Sequence, residues 1–486
     1  VSSIKQLVGQ TALYGLPSIV GRLLNFLLVP IHTAAMGRGE FGVVTDLYVW
    51  VAVLIVLLTY GMETSFFYFA SKTDDSKRVF LTGMLSIVLT TLLFYGLFEL
   101  YSEDITAVLR YENHPHYLKV MVWILCIDVL AALPFARLRH QGKAVRFVVV
   151  KMSLFVVNIG LNLFLFLVLP HFPEWQFDFL GFTRGDFVGY VLIANLLASS
   201  TMILLLLPQL KPLLQWQLFD ADLLRKMFIY GLPLMLAGLA GIANELADRQ
   251  FLKYLLPRDR SMEELGIYGA VYKLSIFLVL FVQAYRYAAE PFFFKLKRTT
   301  DSAALNARIL QYFTLVLGLV VIGLNATLPI LKTYIDEKFW VGLDAAPVLF
   351  AANFILGMNT HLSIWYKLSN KTWYAGVITG VGLIFTVALN ILWIPSMGWM
   401  GAAWATLCSY FVMASLNAIL GQRFAPMPYN WKVLMSYFIS SLLLGFFAWK
   451  WQSEWGLWSL IFTLPYIALV AVLERTTWQR MLIRRK

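Results

Sequence analysis

The sequence predicts an all-α polytopic membrane protein of about fourteen transmembrane helices. Three observations carry that reading. Of 486 residues, 60% are hydrophobic and 14% charged, whereas soluble domains carry about 25% charge. The apolar residues fall into runs near twenty long, the length that crosses a hydrocarbon core about 30 Å thick. The lysines and arginines gather in alternate connections between those runs. A single water-soluble core could not bury this much apolar side chain, so the surplus must face lipid. The 16 Trp and 23 Tyr suit the lipid–water interface, where one end of the ring is apolar and the other wet.

The runs lie at about 10–34, 42–70, 79–99, 117–138, 145–169, 187–208, 227–250, 265–291, 309–331, 345–366, 373–394, 399–421, 432–449 and 456–474. With the N-terminus placed in the cytoplasm and the sides alternating, 25 of the 39 basic residues are cytoplasmic, 11 external and 3 within helices. The acids run the other way, with 6 cytoplasmic, 15 external and 6 within helices. Both termini are therefore expected on the cytoplasmic side. The net charge of +12 is read as topology, with attraction to anionic lipid, rather than as a nucleic-acid footprint. No long basic stretch and small-residue cleavage site opens the chain, so no removable signal peptide is expected. Cys126 and Cys408 stand alone in apolar runs and are read as small buried hydrophobes.

The longest connections, near 100–116, 170–186 and 252–264, are too short to hold a catalytic domain. Gly37 to Gly42 satisfies G-x-G-x-x-G, but it lies between membrane helices with no preceding strand, so no dinucleotide site is expected. His114 and His116 have no third ligand nearby, so no metal or cofactor is expected. There is no G-x-x-x-x-G-K-[ST], so transport is not expected to run on the chain's own ATP hydrolysis.

A weak internal repeat organises the runs. Tyr14-Gly15-Leu16-Pro17 in the first returns as Tyr230-Gly231-Leu232-Pro233 in the seventh. Glu40-Phe41-Gly42 returns as Glu264-Leu265-Gly266, and Phe66-Phe67-Tyr68-Phe69 as Phe292-Phe293-Phe294. Six helices separate the copies, so the halves share one orientation, as in transporters built from parallel repeats. The expected domains are a six-helix lobe at 1–210, a second at 211–425, and helices thirteen and fourteen with a basic tail at 426–486.

Nine ionisable residues lie inside the runs: Arg22, Asp46, Glu63, Asp128, Glu245, Asp248, Lys273, Arg286 and Glu290. Each costs about 2.5–3.5 kcal/mol at a helix centre and should face a partner, the bundle interior or water. Glu245 and Arg249 are four apart, as are Arg286 and Glu290, so each pair can share a helix face. Two readings stand for such pairs: structural ion pairs, or parts of a transport site. Arg22 has no acid within a turn and sits near mid-membrane, which suits an anion. Asp46 and the residues at helix ends can instead snorkel.

Leu389-Asn390-Ile391-Leu392-Trp393-Ile394-Pro395-Ser396-Met397-Gly398-Trp399-Met400-Gly401-Ala402-Ala403-Trp404-Ala405-Thr406 resembles a hallmark of bacterial polysaccharide flippases of the Wzx type. Its physics is legible: Pro395 and Gly398 make a tight external turn, and Gly401, Ala402, Ala403 and Ala405 give the next helix a small-residue face for close packing. The basic turns at Lys367 to Thr372 and Arg137 to Lys143, and the pattern from Tyr14 through Gly42 to Glu63, resemble the same family over nearly the whole chain. The resemblance extends to the superfamily of multidrug, oligosaccharidyl-lipid and polysaccharide exporters. It implies two six-helix lobes around a central cavity and alternating access. It further implies an undecaprenyl-pyrophosphate-linked oligosaccharide (O-antigen, capsule or exopolysaccharide unit) carried to the outer leaflet of a bacterial inner membrane. The last two helices resemble those that help form a lipid-tail groove in lipid-II flippases.

On depth and charge, Arg22, Lys273 and Arg286 are expected to hold the pyrophosphate. Glu63, Asp128, Glu245, Asp248 and Glu290 are expected to balance charge or carry a coupling proton or sodium ion. Glycan-assembly enzymes are the expected protein partners. The rival readings are a lipid-II flippase, a drug/cation antiporter, and a membrane glycan polymerase or ligase. The antiporter favours a cavity dominated by acids, and the polymerase or ligase needs a sizeable external loop.

Overall fold

The computed structural model describes residues 17, 19–174, 178–296, 302–369 and 371–483. These residues are helical nearly throughout. Among the described residues, 11 helices are long and apolar enough to cross a membrane, or 12 when one bent pair is taken as a single span. The expected fourteen differs from this count at the two ends of the chain. The first expected run is described only as Ile19–Ala35 (α1), a shorter apolar helix, and the repeat copy at Tyr14 to Leu16 lies outside the described residues. The last two runs form one apolar stretch, Trp431–Arg475, that turns back on itself.

Two compact units divide the chain, Val1–Leu246 and Ala247–Lys486, and the division falls within a helix. The first unit holds α1, α2 (Arg38–Ala70), α3 (Ser76–Leu100), α4 (Pro115–His140), α5 (Ala144–His171), α6 (Phe187–Gln209) and the first part of α7 (Ala221–Leu255). A two-residue-per-strand hairpin pairs Asp178 with Thr183 between α5 and α6. The second unit holds the rest of α7, then α8 in two pieces, Arg258–Lys273 and Ile276–Leu296, and α9 (Ser302–Ala326). It continues with α10 (Glu337–Leu368), α11 (Trp373–Met397), α12 (Trp399–Phe424), α13 (Trp431–Trp455) and α14 (Thr463–Ile483).

Lipid is as apolar as leucine, so packing, close approach and hydrogen bonds hold such helices together. The core of the first unit gathers Leu58, Met62 and Phe66 of α2, Phe80, Met84 and Ile87 of α3, Leu125, Val129 and Leu133 of α4, and Met227 of α7. The break in α2 lets α7 approach. Tyr60 and Gly61 both take left-handed φ, 32° and 75°. There Gly61 lies backbone to backbone with Gly231, and a Cβ on Gly61 would fall 2.5 Å from the Gly231 carbonyl oxygen. Ser65 Oγ donates to the Met227 carbonyl at 2.9 Å, and Tyr68 stacks on Tyr230 at 4.3 Å. The Tyr230-Gly231 repeat element is thus a packing device.

In the second unit, α11 and α12 pack closely, with Ala402, Ala403 and Ala405 fully buried, as the small-residue face requires. The turn between them is tighter than expected. The first helix runs through Pro395 to Met397, and Gly398 alone, at φ 55°, reverses the chain. Glu264, 4% exposed, closes the turn by accepting the Trp399 N–H at 3.2 Å and Arg260 Nη2 at 2.8 Å. Two sequence motifs, the Glu-x-Gly repeat and the Gly-Trp-x-Gly hallmark, therefore meet in one contact. Glu264→Leu should leave a half-buried N–H unpaired and cost about 1 kcal/mol or more, read as a lower melting temperature in detergent. An unchanged melting temperature would remove this clasp from the account.

The eighth run bends by 55° at Leu274 and Ser275, where the backbone makes i→i+3 bonds instead of helical ones, Leu274 N to Val271 O and Ser275 N to Tyr272 O. At the C-terminal end, Gly456, at φ 53°, ends α13. The chain returns so that Tyr437 OH donates to Glu474 at 3.1 Å. A straight helix would separate residues 37 apart by about 55 Å, so α13 and α14 form an antiparallel hairpin. Ser459 Oγ ties its tip to the Ala326 carbonyl at 3.1 Å, and α13 lies along α9.

Candidate functional site

In the first unit, Arg22 stands beside Gly21, which packs against the Phe155 ring of α5. That contact turns Arg22 outward, and its side chain is exposed. Among the described residues its guanidinium has no ion-pair or hydrogen-bond partner. An arginine in an apolar helix keeps five donors that need water or an anion.

Three of the acids within the helices of this unit have partners. Glu63, in the part of α2 beyond the break, pairs with Arg139 of α4, whose guanidinium lies 5.0 Å from the Phe67 ring centre. Asp46 is fully buried and accepts Tyr111 OH at 2.7 Å. It anchors a loop residue and does not snorkel. Asp128 of α4 accepts Ser199 Oγ of α6 at 2.7 Å, and the charge of Lys151 on α5 acts on it. Glu245 is exposed on α7.

Beside Asp128 runs a chain of uncharged polar side chains and one histidine, which a reading of formal charge does not reveal. Asn195 donates to Tyr48 OH and accepts from Asn158 Nδ2 at 2.8 Å. Asn162 donates to Asn158 Oδ1 at 3.2 Å, and Asn162 Oδ1 bonds His32 Nε2 at 2.8 Å. Four helices, α1, α2, α5 and α6, contribute. The available signal was spacing: Asn158 and Asn162, and Asn195 and Ser199, are each four apart, so each pair lies on one helix face.

In the second unit, Asp248 is 2% exposed. Arg249 Nη1 donates to its Oδ1 at 3.0 Å, Tyr268 OH to its Oδ2, and Thr406 Oγ1 reaches Oδ2 at 3.4 Å. Lys273 is exposed on the last residue before the α8 break. Arg286 is exposed on the piece after it, its guanidinium 5.8 Å from the Tyr287 ring centre, and it makes no ion pair among the described residues. The side chain of Glu290 lies outside the described residues, and with it the expected Arg286–Glu290 pair.

Two buried polar residues of this unit were missed. His361 is fully buried and bonds Tyr285 OH through Nδ1 and Asn306 Oδ1 through Nε2 at 3.1 Å. Glu474, counted from sequence among the cytoplasmic acids, is 1% exposed and accepts from Gln311 and Tyr437. Among the described residues, no three His, Cys, Asp or Glu side chains gather to hold a metal ion.

The charges therefore sort by partner. Glu63, Asp128 and Asp248 are engaged by Arg139, Ser199 and Arg249, whereas Arg22 in one unit and Arg286 in the other present guanidiniums without ion pairs among the described residues. Planar guanidinium forks match phosphate oxygens two at a time.

The fold is one that solved membrane proteins share. The chain is similar to the lipid II flippase MurJ in an inward closed conformation, with a TM-score of 0.69 and 12% identity over 96% of this chain and 99% of that one. It is also similar to an inward-facing multidrug resistance MATE family transporter of the MOP superfamily, with a TM-score of 0.63 and 12% identity over 85% and 94%. The Vibrio cholerae MATE transporter VcmN shares the fold at a TM-score of 0.53 and 16% identity over 87% and 98%. No curated protein matches by sequence. Residues 7–297 match the family described as polysaccharide biosynthesis protein. That is more than half of the chain, and the protein belongs to this family.

Proposed function

We propose that this protein is a flippase that moves an undecaprenyl-pyrophosphate-linked oligosaccharide from the cytoplasmic to the outer leaflet of a bacterial inner membrane by alternating access. Membership of a polysaccharide biosynthesis family supports a glycan substrate. The observation that carries the reading is Arg22, a cation without a partner among the described residues, exposed in an apolar helix. Arg22, Lys273 and Arg286 hold the pyrophosphate, whose charge a drug/cation antiporter would not require. Glu63, Asp128, Glu245, Asp248 and Glu290 balance charge or carry the coupling cation, a proton or sodium. Both termini are cytoplasmic, and glycan-assembly enzymes supply the substrate on that side. The protein moves its substrate without making or breaking a glycosidic bond.

A second reading, a flippase for lipid II, draws on the likeness to MurJ and needs the same pyrophosphate contacts. Complementation separates the two. Strains lacking an O-antigen flippase and strains depleted of the lipid-II flippase should be transformed side by side. Rescue of surface glycan in the first alone is expected. Rescue of growth in the second alone would assign lipid II, and rescue of neither would count against both.

A further inference from the structure

The buried histidine of the second unit is not used by the proposed transport step. It sits where it can control one of the proposed site residues. Tyr285 OH bonds His361 Nδ1, and the Tyr285 ring stacks on Phe313 of α9 at 3.8 Å. Phe293, eight residues further along α8, meets the His361 ring edge-on at 5.5 Å. Ala289 lies between them in the same apolar cluster, with Ile364 of α10. Residues 285, 289 and 293 form one face at i, i+4 and i+8, so His361 grips two turns of the helix from one side. Its Nε2 is fixed in turn by Asn306 Oδ1 at 3.1 Å, which also accepts Tyr429 OH from the loop after α12 at 3.0 Å. Tyr285, His361, Asn306 and Tyr429 thus link α8, α10, α9 and that loop.

The grip matters because of what precedes it. The piece Ile276–Leu296 is set off from the first part of α8 by the 55° break. Apolar side chains resist axial rotation of such a piece weakly, since one smooth face packs much like the next. Hydrogen bonds do not tolerate rotation. Arg286 follows Tyr285 and so points about 100° around the axis from the gripped face. Turning the piece by that angle would carry Arg286 against α10.

We infer that His361 is a positioning residue: through Tyr285 it fixes the rotation of the second part of α8 so that Arg286 faces out of the packed bundle. This rests on the reading of Arg286 as a pyrophosphate ligand. The mildest test is Tyr285→Phe, which removes one hydroxyl and keeps the stack on Phe313. Binding of undecaprenyl pyrophosphate to the full chain in nanodiscs would be measured for wild type, Tyr285→Phe, Arg286→Ala and the double variant. His361→Gln would be included because its amide can accept from Tyr285 and donate to Asn306. A roughly tenfold loss is expected for Tyr285→Phe in the wild-type background and less than twofold in the Arg286→Ala background, with His361→Gln within about threefold of wild type. An equal loss in both backgrounds, or none in either, would overturn the inference while leaving Arg286 as a ligand. Full binding by Arg286→Ala alone would overturn the assignment of Arg286 and, with it, this role for His361.

Discussion

Replacing Arg22 by alanine is expected to abolish export of the glycan while the protein still inserts and folds. The side chain is exposed and has no partner among the described residues, so its removal breaks no contact there and should change stability by no more than about 0.5 kcal/mol. Its loss from the proposed transport site is another matter. A hydrogen bond to a charged group is worth about 1.5–3 kcal/mol, and a guanidinium gives phosphate two of them. Losing both should weaken substrate binding by roughly a hundredfold or more. Arg22→Lys keeps the charge but not the fork, and should fall between wild type and alanine. The readouts are surface glycan in a flippase-deficient strain and the elution profile of the purified protein. Normal export with Arg22→Ala would sink the site assignment.

The second large effect is structural. Gly61→Ala should impair folding of the first unit. Its new Cβ would sit 2.5 Å from the Gly231 carbonyl oxygen, a backbone atom that cannot swing aside. The position also has φ 75°, which costs a residue with a side chain about 1–2 kcal/mol. With overpacking of about 1–3 kcal/mol, the total is roughly 2–5 kcal/mol. Gly231→Ala should behave alike, because its Cβ would fall 2.7 Å from the Tyr60 carbonyl oxygen. Gly96→Ala is the control: nothing lies within 4 Å of its Cβ position, and the better helix propensity of alanine should leave the melting temperature level or raised. If Gly61→Ala and Gly96→Ala melt alike, the α2–α7 contact is not what holds this part of the unit.

Much of the fold was legible because lipid enforces it. Every backbone polar group in a membrane must be satisfied within the helix, so runs of apolar residues report spans directly. The small-residue face of α12 was readable for the same reason. What escaped was local. The bend at Leu274 and Ser275 leaves no proline or glycine to announce it. The continuation of α11 through Pro395 shows that a proline near a helix end need not stop it. Sites were harder still. Charge marked Arg22, Arg286, Asp128 and Asp248, but not who met them. The nearest neighbour in sequence, Arg249, engages Asp248, whereas Glu63 finds Arg139 from another helix. Residues that carry no formal charge, such as Asn158, Asn162, Asn195 and Ser199, build the chain beside Asp128, and no count of ionisable groups could reveal them.

The most direct measurement is flipping by the purified protein alone. Liposomes loaded with an undecaprenyl-pyrophosphate-linked oligosaccharide would be treated from outside with a membrane-impermeant enzyme that trims exposed sugar. Without the protein, about half of the glycan, the share in the outer leaflet, should be accessible, because a charged head group crosses hydrocarbon only at high cost. With the wild-type protein the inner-leaflet half should become accessible too, and with Arg22→Ala it should stay protected. A protected inner leaflet in the presence of folded wild-type protein, or the appearance of lengthened glycan chains, would contradict the account.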